Sequence, residues 1–495
     1  MDIKSKEMTL WNKKQRRNNK IKLFLMLFVS LILLLNSYFI SAIIFLIIMY
    51  ILNDVLWSDH LFYDPKQDYS YNLNTDFSES IELNSQQTNK QQILWKETYN
   101  NKTLFLEIEL QGLMTGWVFD PYIEITSGTA KQKQFFERGL NGKRFINLSH
   151  IEVQSESVSL NCYHCKINNQ TASLHGFEPV DLDNKKILII APHADDAEIA
   201  AFGLYSNNNC FIATITAGEV EAEYYEDGHL SPSEASQLKG RLRAWDSLAV
   251  PQWAGVEADQ LIQLGYFCLT LEQMKLNPEQ SVSSLTANVS DPRFFRRLNC
   301  SQSKVILNDS LLNEKEQKKA SWPRLINDLS EILKTVQPDI ICTPHPLIDP
   351  HKDHFYSTLA CWEACSEACD PLGTPVKYLL YANHNNHTDL SPFGLSGSLV
   401  SVAPEFISLK SPVSLMSYPL DDKMQYEKRS ALGMMHDLNT PINFKKKLRQ
   451  KLQSFFIGRE SFHFGHDDYF RKAVRQNELF YQVDQEQLKQ LIAEK

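Results

Sequence analysis

Outside its N-terminus the sequence predicts no extended basic face. Its 495 residues hold 50 Lys and Arg against 59 Asp and Glu, a formal net charge of −9. Phosphate binding needs clustered cations, so this balance argues against a nucleic-acid partner. No internal repeat or low-complexity tract is evident, and a 43% hydrophobic, 22% charged composition excludes wholesale disorder. Cys162-x-x-Cys165 has no second pair, which favours packed thiols over a zinc knuckle. The nine cysteines are odd in number. Several sit in apolar or helical settings, such as Cys342 and the set Cys361, Cys365 and Cys369. That usage fits a reducing compartment better than a disulfide framework. At roughly 150 residues per domain, the length predicts two or three units.

What is present begins with Leu23 to Leu52, a stretch without a single charge, preceded by "NKKQRRNNKIK". About 20 apolar residues span a bilayer, so the stretch predicts membrane anchoring. It is too long for a signal-peptide core, and no small-residue cleavage site follows. Two arrangements are open: one tilted crossing, or a shallow re-entrant hairpin broken at Asn36-Ser37. The basic flank places the N-terminus in the cytoplasm. A single crossing would then export the remainder. A hairpin would keep it cytoplasmic, in agreement with the cysteines. The expectation is a bacterial inner-membrane protein with its N-terminus and its catalytic body in the cytoplasm.

The organisation reads as a basic N-terminus (1–22), a membrane segment (23–52), a linker (53–90) and a small β-sandwich domain (91–176). The sandwich is predicted from short runs that alternate apolar with polar residues and break at Asn, Gly and Ser. From Lys185 the pattern changes. "KKILIIAP", "CFIATITAG", "PDIICTPHP" and "VKYLLYANH" read as strands, alternating with helices such as "WPRLINDLSEILKTVQ". This predicts an α/β domain over 184–440 with a doubly wound, mostly parallel, Rossmann-like sheet, followed by a helical extension over 441–495. Ligands of such sheets sit at the carboxyl ends of the strands.

Two polar clusters fall at those ends. His193, Asp195 and Asp196 follow the first strand. Asp195 or Asp196 could cap the next helix, but a cap leaves His193 unexplained. "TPHPLIDPHKDH" holds His345, Asp349, His351, Asp353 and His354. Three histidines in ten residues are either a solvated loop or metal ligands. Two His and a carboxylate beside an open position form a recurrent catalytic zinc set. Together the clusters favour a mononuclear metal hydrolase.

"PHADDAE" with a downstream "PHKDH" resembles the PIG-L/LmbE family of zinc-dependent N-acetylglucosamine de-N-acetylases, over about residues 184–440. The resemblance implies that His193, Asp196 and His354 ligate one zinc ion per chain. It implies Asp195 as the general base towards the attacking water. His351 would stabilise the oxyanion or protonate the leaving amine, with Asp353 holding its ring. Glu219 in "ATITAGE", Arg243 on the helix of "RAWDSLAV" and His345 are weaker substrate-binding candidates. For Glu219 and Arg243 a structural ion pair is the competing reading. The departures are Ala194 and Lys352 in place of prolines, Asp246 in place of a glutamate, and "GYFCL" without an expected aspartate. These touch the sugar contacts and not the metal site.

The expected function is membrane-anchored removal of an N-acetyl group from a hexosamine in a glycan or glycolipid, such as a lipopolysaccharide core, another surface polysaccharide or a lipid-linked precursor, with membrane lipid as the other partner. The competing readings are an amidase on another N-acyl group and an inactive glycan-binding protein. "HFGHDD" (His463, His466, Asp467, Asp468) reads as a surface cluster, and His384 and His387 as possible rim residues of the pocket.

Overall fold

A membrane-length apolar run must satisfy its backbone internally, and here it does so as two helices. Ile3–Leu35 and Phe39–Leu56 are separated where Ser37 takes a φ of 61° and Asn36 Nδ2 donates to the Ile32 carbonyl. The second helix folds back on the first. Trp11 Nε1, near the start of one, donates to the Leu61 carbonyl, just past the end of the other, at 3.2 Å. Trp11–Leu35 is long and apolar enough to cross a membrane, and Phe39–Asn53 is a shorter apolar helix. The computed structural model describes residues 3–56, 61–87, 89–151, 157–298, 319–368, 376–405, 411–439, 441–459 and 469–495. Cys369, His463, His466, Asp467 and Asp468 lie outside the described residues.

Two five-stranded antiparallel sheets follow. One contains β1 (Phe77–Glu82), β4 (Thr103–Gly112), β7 (Asn141–Asn147), β9 (Cys165–Ile167) and β10 (Thr171–Phe177). The other contains β2 (Asn84–Gln87), β3 (Lys90–Leu94), β5 (Tyr122–Ser127), β6 (Ala130–Phe135) and β8 (Ser157–Tyr163). Period-two alternation turns Leu104, Leu106 and Ile108 of one sheet, and Ile123, Ile125 and Leu160 of the other, into a shared core. Strands β1 and β2 come from the stretch expected to be a linker.

The third sheet has eight strands in the order β14-β13-β12-β11-β15-β16-β18-β17. These are β11 (Ile187–Ala191), β12 (Cys210–Thr216), β13 (Leu261–Tyr266), β14 (Arg297–Leu298), β15 (Ile340–Pro344), β16 (Lys377–Tyr381), β17 (Ser414–Pro419) and β18 (Asn477–Val483). Strand β11 is buried along its whole length, with Leu188 and Ile190 in one apolar cluster and Ile187 and Ile189 in another. That explains its unbroken aliphatic sequence.

The expected doubly wound, mostly parallel sheet is corrected by this pairing. Strands β13, β12, β11, β15 and β16 run parallel, but β14, β18 and β17 pair antiparallel, so the sheet is mixed. Across the described residues, antiparallel pairings outnumber parallel ones eleven to four, so antiparallel pairing dominates. Strand–helix alternation reveals only neighbours joined by crossovers, whereas an antiparallel strand needs none. "NELFYQV", within the expected helical extension, is β18 and sits between β16 and β17.

Asp120 clamps three parts of the chain together. Its carboxylate accepts from Arg138 Nε at 2.7 Å and from Arg459 Nη2 at 2.6 Å, while Arg138 Nη1 donates to the Val55 carbonyl at the end of the second apolar helix. Burial would raise the Asp120 pKa, but Arg459 and Arg138 outweigh it and hold the carboxyl below its ordinary value. A depressed folded pKa stabilises above the unfolded value of about 3.9, and that stability is lost as pH falls through the folded value. Asp120→Asn is therefore expected to cost on the order of 3 kcal/mol at neutral pH. In thermal melts, its gap from wild type should hold down to about pH 4 and close below it.

Candidate metal centre

Each parallel strand ends in a loop on the same edge of the sheet, and five of these loops converge. After β11 the chain turns through Pro192–Asp195 into the helix Asp196–Asn207. After β15 it loops into the helix Lys352–Ala368, whose first turn carries Asp353 and His354. The loops after β12, β13 and β16 bring Gly218, Cys268 and Asn383–His384.

Asp196 lies at the centre. Its Oδ2 is 3.1 Å from His193 Nδ1 and 3.3 Å from His354 Nε2, and it accepts from the His193 backbone N–H at 2.8 Å. Asn383 Nδ2 donates to its other oxygen at 2.8 Å. His354 Nδ1 is fixed by Asp349 Oδ2 at 2.9 Å, an oxygen that also accepts from the backbone N–H of Asn383 and His384. Burial would lower His354, but Asp196 and Asp349 outweigh it and push its pKa up to about 10. Burial would raise Asp196, but His354 and His193 hold it well below the carboxylate range. His351 is pushed down to about 4, first by burial and then by the positive charges of His193 and His354.

These residues fit a metal ion. Ligand atoms of His193, His351 and His354 lie within 4.8 Å of one another, as do those of His193, Cys268 and Asp353. His354 Nε2 and Asp353 Oδ1 are buried and make no hydrogen bond among the described residues. Burial would lower His193, but Cys268, Asp196 and Asp353 hold its pKa above the ordinary value, as Asp196 and Asp349 do for His354, and a divalent cation can take the place of protons on such rings.

The structure also sorts the remaining sequence candidates. Asp195 accepts from Arg243 Nη2 at 2.9 Å, and Arg243, itself buried, pairs through Nη1 with Asp437. Gly218, at φ +63°, makes room for this arginine, since a Cβ there would strike its guanidinium. Glu219 is fully buried and accepts from Ser284 Oγ at 2.7 Å and Cys268 N–H at 3.2 Å. Its carboxylate braces loops and presents no surface to a substrate. Asp353 does not hold the ring of His351. Its Oδ2 accepts from Leu269 N–H at 2.7 Å and lies 3.3 Å from His193 Nε2. Residues two apart at a helix start point to different sides, which separates Asp353 from His351. His345 stays out of the cluster. Its Nδ1 accepts from the backbone N–H of Leu347 and Ile348, its ring lies edge-on to Tyr481 at 5.1 Å, and burial pushes it down to about 3.

Sequence reasoning assigned no role to Cys268, Asn383, Asp349 or Asp437. Cys268 Sγ lies 3.5 Å from His193 Nε2, and the available signal was its place just after a buried strand. His384 joins the cluster, its ring 5.1 Å from His354 and 5.6 Å from His351. His387 instead sits edge-on to Tyr63. Because Asp349 alone orients Nδ1 of His354, Asp349→Asn should weaken metal binding about 10–100-fold in a competition titration with a chromophoric chelator.

No curated protein matches the sequence. Among solved structures, similarity extends to GalB, the 4-carboxy-2-hydroxymuconate hydratase of Pseudomonas putida KT2440, at 12% identity over 60% of this chain and 95% of that one, with a TM-score of 0.26. It extends also to Xylanase10C of Cellvibrio japonicus, at 8% identity over 87% and 98%, with a TM-score of 0.16. Both scores are too low to carry an argument. The family model is informative: its match begins in β11 and ends within the helix that bears His354, so His193, Asp196, His351 and His354 fall inside it. Residues 188–365 match the model of the PIG-L family, which is described as GlcNAc-PI de-N-acetylase.

Proposed function

We propose that the chain is a membrane-anchored, zinc-dependent de-N-acetylase that acts on an N-acetylated hexosamine within a glycoconjugate, such as a lipopolysaccharide core, another surface polysaccharide or a lipid-linked precursor. The observation that carries this reading is the Asp196 carboxylate set between His193 and His354, inside the segment that matches the PIG-L family. In this reading His193, Asp196 and His354 hold the metal. When bound, zinc supplies Lewis-acid polarisation of the amide carbonyl and lowers the pKa of water.

The chain's own residues do the rest. Asp195, kept in place by Arg243, takes the proton from the attacking water. His351 borders a cleft of about 330 Å³ together with Asn383 and His384, where its neutral ring can donate an N–H to the developing oxyanion, and Asp195 passes the proton taken from water to the departing amine. The products are acetate and the free amino sugar. Asp349 and Asn383 keep His354 and Asp196 from turning away.

The two apolar helices form a hairpin anchor in this reading. A hairpin returns the chain to the side of its basic N-terminus, which is the cytoplasmic side of a bacterial inner membrane. The exposed leucines, isoleucines and phenylalanines along both helices support lipid contact.

The test uses the full chain in nonionic detergent. Metal content should be about one zinc per chain. Acetate release from N-acetylhexosamine glycans should fall by about 10²–10⁴-fold in Asp195→Ala and be abolished with metal loss in His354→Ala. A metal-free wild type, with release unchanged by His354→Ala, would reject the proposal.

A further inference from the structure

A cavity of about 1220 Å³ lies outside the segment that matches the PIG-L family. Its walls come from the first apolar helix, the loop before β5, the loop after β16 and the helix Phe444–Ile457. Ten lysine and arginine side chains line it against four acidic ones, in a chain whose net charge is −9, so the fold gathers cations here against the overall balance. They include Lys14 and Lys22 of the first helix, and Lys445, Lys446 and Arg449 of the C-terminal one. A low-dielectric concavity lined by one sign of charge focuses its field on an anion.

Two further observations say where that anion resides. The first helix contributes Trp11, Lys14, Gln15, Asn18 and Lys22 to the wall, one face at helical spacing that ends where the uncharged run begins at Leu23. The cavity therefore sits at the level where a membrane anchor meets water. The helix Phe444–Ile457 packs against the apolar helix Phe39–Leu56. It turns its cationic side to the cavity while Phe444 and Phe455 stand 82% and 83% exposed, the pattern of a helix lying in the headgroup layer. The anionic group that membrane lipids present at this depth is a phosphate ester, which arginine and lysine clusters bind through charge-assisted hydrogen bonds.

The cavity also leads to the chemistry. His384, Asp389 and Lys472 line both it and the smaller cleft that contains His351. We propose that this cavity binds the phosphate headgroup of a membrane lipid that carries the substrate sugar, holding the carrier at the bilayer surface while the sugar extends past His384 to the metal centre. The sugar's fate rests on the de-N-acetylase reading, whereas headgroup binding does not.

The experiment follows the tryptophan fluorescence of the full chain in nonionic detergent, since Trp11 and Trp117 line the cavity. The probes are dihexanoylphosphatidylglycerol, uncharged dihexanoylglycerol and inorganic phosphate. Wild type should bind the phospholipid at least about tenfold more tightly than either other probe. Lys14→Glu and the double variant Lys445→Glu/Lys446→Glu, on separate elements, should each weaken phospholipid binding by about tenfold or more, with melting temperatures verified. Lys423→Glu, on another helix and outside the cavity, should not. Unchanged phospholipid binding in both cavity variants, or equal binding of dihexanoylglycerol, would overturn the proposal. Inorganic phosphate binding as tightly as the phospholipid would overturn the lipid source. Acetate release by the same wild-type preparation is read separately, so a silent enzyme with intact headgroup binding rejects the de-N-acetylase reading alone.

Discussion

The Asp196 carboxylate, caught between two buried imidazoles, is the interaction on which the rest of the centre depends. A buried carboxylate costs several kcal/mol unless its charge is matched and its lone pairs are filled. Here His193 and His354 supply the charge, and Asn383 and a backbone N–H supply the remaining hydrogen bonds. The match is possible only because β11 and β15 are adjacent and parallel, which sets the loops that follow them side by side. Asp349 and Asp353 extend the same logic outward by fixing His354 and lying against His193. Cations and anions alternate through the cluster, so removing one member leaves its neighbours buried without compensation.

A second alternation of charge operates away from the centre. Arg144 is fully buried beside Glu137 and donates to the carbonyls of Pro65 and Gln67, stitching the segment after the two apolar helices to the antiparallel sheets. Asp120 does the same for the end of the second apolar helix and for Arg459, just past the helix Phe444–Ile457. The two apolar helices, the antiparallel sheets and the helix Phe444–Ile457 are thereby held as one frame around the basic cavity. That frame brings together residues more than four hundred positions apart, such as Lys14 and Lys445.

The buried His–Asp cluster was legible in the sequence because its members lie in two short stretches, each following a buried strand of the same sheet. The likeness of "PHADDAE" and "PHKDH" to the PIG-L/LmbE motifs, and not their position alone, singled out His193, Asp196 and His354, and the structure sets these three side chains together. Candidates chosen by proximity in sequence fared differently. His345 lies in the same stretch as His354, yet its ring turns to the backbone of its own loop. Asp353 was paired with His351 by closeness along the chain, and the helix start sends it to His193 instead. Cys268 and Asn383 come from other loops, and nothing within those loops marks them.

The sequence by itself determined the uncharged N-terminal run, the alternation of the antiparallel strands and the two polar stretches that follow buried strands. Each of these is a local pattern, set by periodicity or by a few adjacent residues. Only the tertiary structure decided that the eight-stranded sheet is mixed, that β18 enters it from the end of the chain, and that ten cations meet in one cavity. Strand pairing and long-range charge clustering depend on which distant segments share a face. Hydrophobic patterning specifies that a segment is buried but not which neighbour covers it.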